Sequence, residues 1–157
     1  MTQNFQNIQV WQDAVQFHKT IISILPKFPK EEIYAMSSQL RRASLSISNN
    51  IAEGCGRETS KELRNFLNIA MGSTKEVESM ILVSKELDYI NNETFMGLIQ
   101  EIIIIGKKLN SLMQRVTEQI PKKNNKNSQI GRSPKNQKPK TKNQQREAKA
   151  SLPQTWA

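Results

Sequence analysis

Two groups of side chains in this 157-residue sequence have types and spacings that invite a chemical reading: a few catalytic types around one glycine turn, and a run of lysines near the C-terminal end. The first group is incomplete. A di-iron bundle needs Glu-x-x-His pairs on facing helices, but the single histidine, His18, has Val15 three residues before it. Glu53, Glu58 and Glu62 gather around Gly54-Cys55-Gly56 with no histidine to complete a metal site, and carboxylates in a helix's first turn explain them. Cys55, the only cysteine, follows a helix, whose negative C-terminal end disfavours a thiolate. Neither a Walker loop nor Gly-x-Gly-x-x-Gly occurs, and no nucleophile has a visible base. The residues predict a protein that is not an enzyme, with no cofactor and no metal.

The second group has a simpler chemistry. Lys122, Lys123, Lys126, Arg132, Lys135, Lys138, Lys140, Lys142, Arg146 and Lys149 alternate with Asn, Gln, Ser and Pro. Such a segment attracts phosphates by charge and counterion release without reading bases. Residues 1–120 hold 13 basic and 13 acidic residues, so the net charge of +9 belongs to residues 121–157. Apolar residues number 51 in the first part and 6 in the second, enough for a core in one and too few in the other. This predicts a folded body over 1–120 and a disordered, lysine-rich tail over 121–157. The bland reading of that tail is a solubilising extension, supported by the repeated Lys-Asn-Gln at 135–137 and 142–144.

A lone cysteine, an N-terminus without a basic and apolar leader, and apolar runs no longer than Ile102–Ile105 point to a reducing, cytoplasmic setting with no membrane span.

The elements that would position these groups are helices. Between Lys30 and Ile120 there is no proline. Four segments carry apolar residues at alternating spacings of three and four. The first reads Val10, Ala14, Phe17, Ile21, Ile24 and ends at Pro26. The second opens at Pro29, with Glu31 and Glu32 in its first turn, reads Ile33, Met36, Leu40, Ala43, Ile47, Ile51, and stops at the glycine turn. The third starts at Thr59, which forms a capping box with Glu62, and reads Leu63, Phe66, Ala70, Val77, Ile81. The fourth begins near Asn91-Asn92 and reads Phe95, Leu98, Ile102, Ile105, Leu109, Leu112, Val116. Links of about two to five residues between helices of roughly 18 to 30 predict an all-α, antiparallel up-down-up-down four-helix bundle.

The apolar stripes exceed what one bundle buries. Trp11, Val15, Ile22, Leu45, Ala52, Leu67, Leu82, Ile99, Ile103 and Ile104 lie beside the inner positions and imply a second burial surface, most simply self-association. The second helix also carries serines and asparagines mid-helix, where propensity disfavours them. Small side chains there permit close approach, Asn49 or Asn50 would bond a facing helix or fix register, and Glu53 would pair with Arg57.

The string Gln39-x-Arg41-Arg42-Ala43-x-x-Ser46-Ile47-x-x-Asn50-Ile51-Ala52-Glu53-Gly54-x-Gly56-Arg57, followed by Glu62, Phe66-Leu67-x-Ile69-Ala70-x-Gly72-Ser73 and Glu76-x-Glu78, resembles the four-helix bundle proteins encoded in intervening sequences of bacterial 23S rRNA genes. The likeness spans roughly residues 5–118. It extends in fold to the accessory variability proteins of diversity-generating retroelements. What the resemblance implies is a pentameric barrel of bundles that binds nucleic acid, RNA in particular, and associates with a reverse transcriptase. Its matching basic positions are Arg41, Arg42, Arg57 and Arg64, and its motif or interface positions are Asn50, Glu53, Gly54, Gly56, Phe66, Gly72 and Ser73. The balanced charge of residues 1–120 departs from the basic bundle surface of those relatives. Two functions follow as expectations: a homo-oligomeric nucleic-acid-binding accessory protein, or an oligomeric scaffold for protein partners.

Overall fold

The computed structural model describes residues 4–121. The tail lysines and arginine expected to meet phosphate (Lys122, Lys123, Lys126, Arg132, Lys135, Lys138, Lys140 and Lys142) lie outside the described residues. Four helices account for most of what is described: α1 Gln9–Ile24, α2 Met36–Cys55, α3 Ser60–Glu86 and α4 Asn92–Glu118.

Local chemistry sets their ends. A short 3-10 turn over Phe5–Asn7 leads into α1, and the Phe5 ring meets Trp11 edge-on at 5.1 Å. The first helix gives way to a 3-10 turn, Leu25–Lys27, at Pro26, which has no N–H to extend the ladder. The second helix starts later than the sequence predicts. Residues Lys30–Glu32 form a separate 3-10 turn and α2 begins only at Met36, so Ile33 is exposed rather than part of the inner stripe. Glu32 acts from outside the helix: one carboxylate oxygen accepts from the Met36 N–H and the other from the Tyr89 hydroxyl. The link between α1 and α2 is therefore longer than the expected two to five residues.

The other boundaries follow the sequence. Thr59 caps α3, its hydroxyl accepting from the Glu62 N–H at 3.2 Å and donating to the Glu62 carboxylate at 2.6 Å. Asn91 caps α4 through the Thr94 N–H. Between them, Tyr89 N–H bonds Ser84 C=O and Asp88 N–H bonds Lys85 C=O, a Schellman arrangement that places Asp88 at φ 55°, a left-handed position asparagine and aspartate tolerate.

Paired side chains give the directions of the helices. Across α2 and α3, Gln39 bonds Glu76, Ser46 bonds Ser73, and Gly54 abuts Leu63 and Phe66, so numbers rise on one as they fall on the other. Gly106 faces Thr74, and Arg64 shares a groove with Thr117, which orients α4 against α3 in the same way. Phe17, Ile21, Leu40, Ile47, Ile51, Leu67, Ile81, Leu98, Ile102 and Leu109 are almost completely buried between the four helices. Leu67 is a correction: it belongs to this core and not to the surplus surface, while Phe66 is only partly buried. The seam between α2 and α3 is the most extensive, and that between α1 and α4 the sparsest.

Gly54 explains the tightest contact. A Cβ built there would lie 2.9 Å from Phe66 Cβ and 2.9 Å from Leu63 Cδ1. The Phe66 atom is fixed to its backbone, so α3 itself would have to move. Gly54→Ala is expected to destabilise the protein by about 1–2 kcal/mol, overpacking outweighing the helix propensity it gains. Gly56→Ala, with its nearest neighbour at 3.4 Å and φ −80°, should change stability by less than about 0.5 kcal/mol. Urea denaturation of both variants checks the contrast.

Candidate functional site

The α2–α3 seam holds most of the motif. Asn50 Nδ2 donates to the Ser46 carbonyl at 2.7 Å and to Ser46 Oγ at 3.0 Å. Ser46 and Ser73 hydroxyls are 2.9 Å apart, and Ser73 donates to the Ile69 carbonyl at 3.2 Å. Because each hydroxyl has one proton, the chain runs in one direction, from Asn50 through Ser46 and Ser73 to the backbone of α3. Asn50 thus crosses to the facing helix only through Ser46 and not by a direct bond as its position predicts, and Asn49 is exposed. Glu53 pairs with Arg57 one turn on, as expected from spacing, and the Arg57 guanidinium lies 4.7 Å from the Phe66 ring centroid. Gly54, Glu53, Phe66, Asn50 and Ser73 are in this way accounted for by contacts within one chain, whereas Gly56, at φ −80° with its nearest neighbour at 3.4 Å, has no contact that requires a glycine. Gly72 is different: it is exposed mid-helix, and a Cβ placed on it would meet nothing within 4 Å.

The four arginines do not converge. Arg41 sits on the α1 side of α2, where its charge reaches His18. Arg42 points to the α3 side and donates to Gln39, which in turn donates to Glu76. Arg57 and Arg64 lie at the opposite end, about 20 Å along the helix axis from Arg42. There Arg57 is engaged by Glu53 and Phe66, and Arg64 lines a cavity of about 480 Å³ between α3 and α4 with Asn68, Asn110, Gln114 and Glu118. They occupy three separate surfaces.

Sequence reasoning missed two arrangements. One is a tie between α1 and α2: His18 Nδ1 lies 2.8 Å from Ser44 Oγ, which itself donates to the Leu40 carbonyl at 2.7 Å. With its proton committed to Leu40, Ser44 accepts from an Nδ1–H of His18. That direction is the reverse of a base withdrawing a serine proton, so the pair fastens helices and does not activate a nucleophile. Burial, and then the Arg41 charge, hold the His18 pKa below 6.5. Burial likewise pushes the Cys55 thiol up, away from thiolate.

The other arrangement is the α1–α4 groove, where Lys108 pairs with Asp13 and two cavities of about 300 and 230 Å³ open. Lys107, Ser111 and Arg115 occur at i, i+4 and i+8, a spacing that puts them on one stripe of α4 and was available from the sequence. Among the described residues no group of three or more His, Cys, Asp or Glu is placed to hold a metal ion, and no helix is long and apolar enough to cross a membrane.

The His18 tie gives a pH prediction. A histidine whose folded pKa lies below its unfolded value takes up protons more readily when unfolded, so its stabilisation is present above pH 6.5 and lost as pH falls below it. Glu101, raised by burial, contributes with the opposite sign in any variant that keeps it. Thermal melting should therefore show a smaller fall in Tm below pH 6.5 for His18→Gln than for the wild type. Equal pH slopes would remove His18 from the account.

The chain has relatives among known proteins. The family model described as 23S rRNA-intervening sequence protein matches residues 6–111. Among solved structures, a protein of unknown function from the S23 ribosomal protein family of Bacteroides thetaiotaomicron is similar, at 25% identity and a TM-score of 0.62; the match covers 67% of this chain and 95% of that one. No curated protein matches the sequence.

Proposed function

Since the chain belongs to the 23S rRNA-intervening sequence protein family, we propose that it is a non-enzymatic, homo-oligomeric accessory protein that binds nucleic acid, RNA in particular. The observation that carries this reading is the segregation of charge. Residues 1–120 are balanced, and the whole net charge of +9 follows Pro121, directly after the helix whose last turns share a groove with Arg64. A basic segment of this kind supplies affinity for phosphates but no sequence preference, which suits an accessory role. Several copies held in one assembly would act together on one strand. Five copies, and a reverse transcriptase as protein partner, are the forms of assembly that the resemblance to accessory variability proteins suggests.

The second reading, an oligomeric scaffold without a nucleic-acid role, draws on the bundle's outer surface. Leu45, Ile69, Leu82, Val83, Met96, Ile103 and Ile104 are all exposed large apolar residues. Both readings need this surface to meet another chain, and only the first needs the tail.

A salt-series titration of a labelled structured RNA with the full chain and with residues 1–120 separates them. The full chain is expected to bind with an affinity that falls steeply as salt rises, by a log–log slope of roughly −0.7 to −0.9 per phosphate contacted. Residual binding by residues 1–120 would place part of the site on the bundle, with Arg41, Arg42, Arg57 and Arg64 as the residues to replace. No binding by either protein favours the scaffold.

Gly72 tests the assembly itself. A glycine in an exposed helix interior destabilises it by about 0.5–1 kcal/mol relative to alanine, and nothing within the protomer requires that here. If another copy's backbone approaches at this point, Gly72→Ala will lower the mass measured by light scattering while leaving the helical content intact. An unchanged mass would exclude Gly72 from the contact.

A further inference from the structure

We infer that the cavity between the start of α1 and the C-terminal half of α4 is a phosphate-binding site for the backbone of a nucleic acid; this rests on the reading that the protein binds nucleic acid and names a place for it on the bundle. The cavity, of about 300 Å³, is lined by Gln9 and Val10 at the start of α1 and by Lys107, Lys108, Ser111 and Arg115 of α4. Three cations and no carboxylate face it, on a bundle whose 13 basic and 13 acidic residues balance overall.

The neighbouring charges sharpen the assignment. Asp13 stands behind the cavity, accepting from Gln9 Nε2 at 2.9 Å and pairing with Lys108, so Lys108 is held in place and its charge is offset. Lys107 and Arg115 have no carboxylate within salt-bridge distance among the described residues, and they keep their charge for a ligand. Ser111 stands between them on the same stripe, one turn from each. The second cavity of the groove is lined by two carboxylates, Asp13 and Glu101, with Gln16 and a single cation, Lys108, already paired to Asp13. The groove is thus polarised along its length, basic at one end and acidic at the other.

The start of α1 adds to the basic end. Ile8 provides no side-chain cap, no acidic residue stands in the first turn, and the Gln9 and Val10 N–H groups have no backbone acceptor. Orphan amides at a helix start and a pair of unneutralised cations are complementary to one phosphodiester and its neighbour, the amides fixing an oxygen and Lys107 and Arg115 supplying charge. The sparse α1–α4 seam is what leaves room for them.

The test uses the full ¹⁵N-labelled chain, titrated with inorganic phosphate and, separately, with a short single-stranded RNA. Both probes are expected to shift the Gln9 and Val10 amides. Replacing Lys107→Gln and Arg115→Gln together should reduce the log–log salt slope for RNA by roughly 1.4, about 0.7 for each lost phosphate contact, with the melting curve unchanged. RNA binding with silent amides and an unaltered slope overturns this site while the nucleic-acid reading stands. No RNA binding at any salt overturns both. Shifts with inorganic phosphate alone would overturn the assignment to a polymer and leave a small phosphate ligand as the occupant.

Discussion

The arrangement of this protein depends on a missing side chain. At Gly54 the second helix comes so near the third that a single methyl group would be pressed to 2.9 Å from carbons of Phe66 and Leu63. That approach fixes the height of α2 on α3, and the remaining contacts of the seam are consequences. The hydroxyls of Ser46 and Ser73 come within hydrogen-bond distance, Arg57 reaches the Phe66 ring, and Thr59 is left where it can cap the next helix after only four linking residues. Serine and asparagine, poor helix formers in isolation, are useful here because they are small and because each can return a hydrogen bond to its own helix. Four of the six buried polar residues of the bundle, Ser44, Ser73, Thr74 and Ser84, do so through the carbonyl four residues back.

The opposite side of the bundle is built by another rule. The α1 helix is the shortest of the four and is tied to its neighbours by polar links, His18 to Ser44 on one flank and Asp13 to Lys108 on the other. Isolated ion pairs at partly exposed positions add little stability, so α1 is held chiefly by Val10, Ala14, Phe17, Ile21 and Ile24 in the core. Where that apolar face ends, the groove to α4 stays open, and its polar lining is free for other uses.

Much of this was legible in the residues. Three-four spacing identified all four helices and most of the core, leaving out Leu25, Phe28, Cys55, Leu67 and Ile90, and Thr59, Asn91 and the glycine turn marked ends that the structure reproduces. The start of α2 was not legible, because Pro29 followed by two glutamates reads as a helix opening, whereas Glu32 works by reaching up to Met36 and across to Tyr89, a partner 57 residues away. Leu67 was misplaced for a related reason: periodicity gives a stripe, and the centre of a wide stripe is set by neighbouring helices. The arginines show the same limit, since a motif lists residues in order while the helix sends Arg41 and Arg42 to different faces. What the motif did encode is the packing of one seam.

Three of the four seams join helices that follow one another in the chain, and only α1 with α4 joins distant ones. Most native contacts therefore close short loops, and the entropy lost in bringing the two ends of the chain together falls on the sparsest seam. Such a topology, rich in contacts between consecutive helices, favours fast folding. It also gives the molecule a soft side. Reversible fraying of α1 would expose its inner face while the other three helices remain packed, making the first helix the element with the least protected amides.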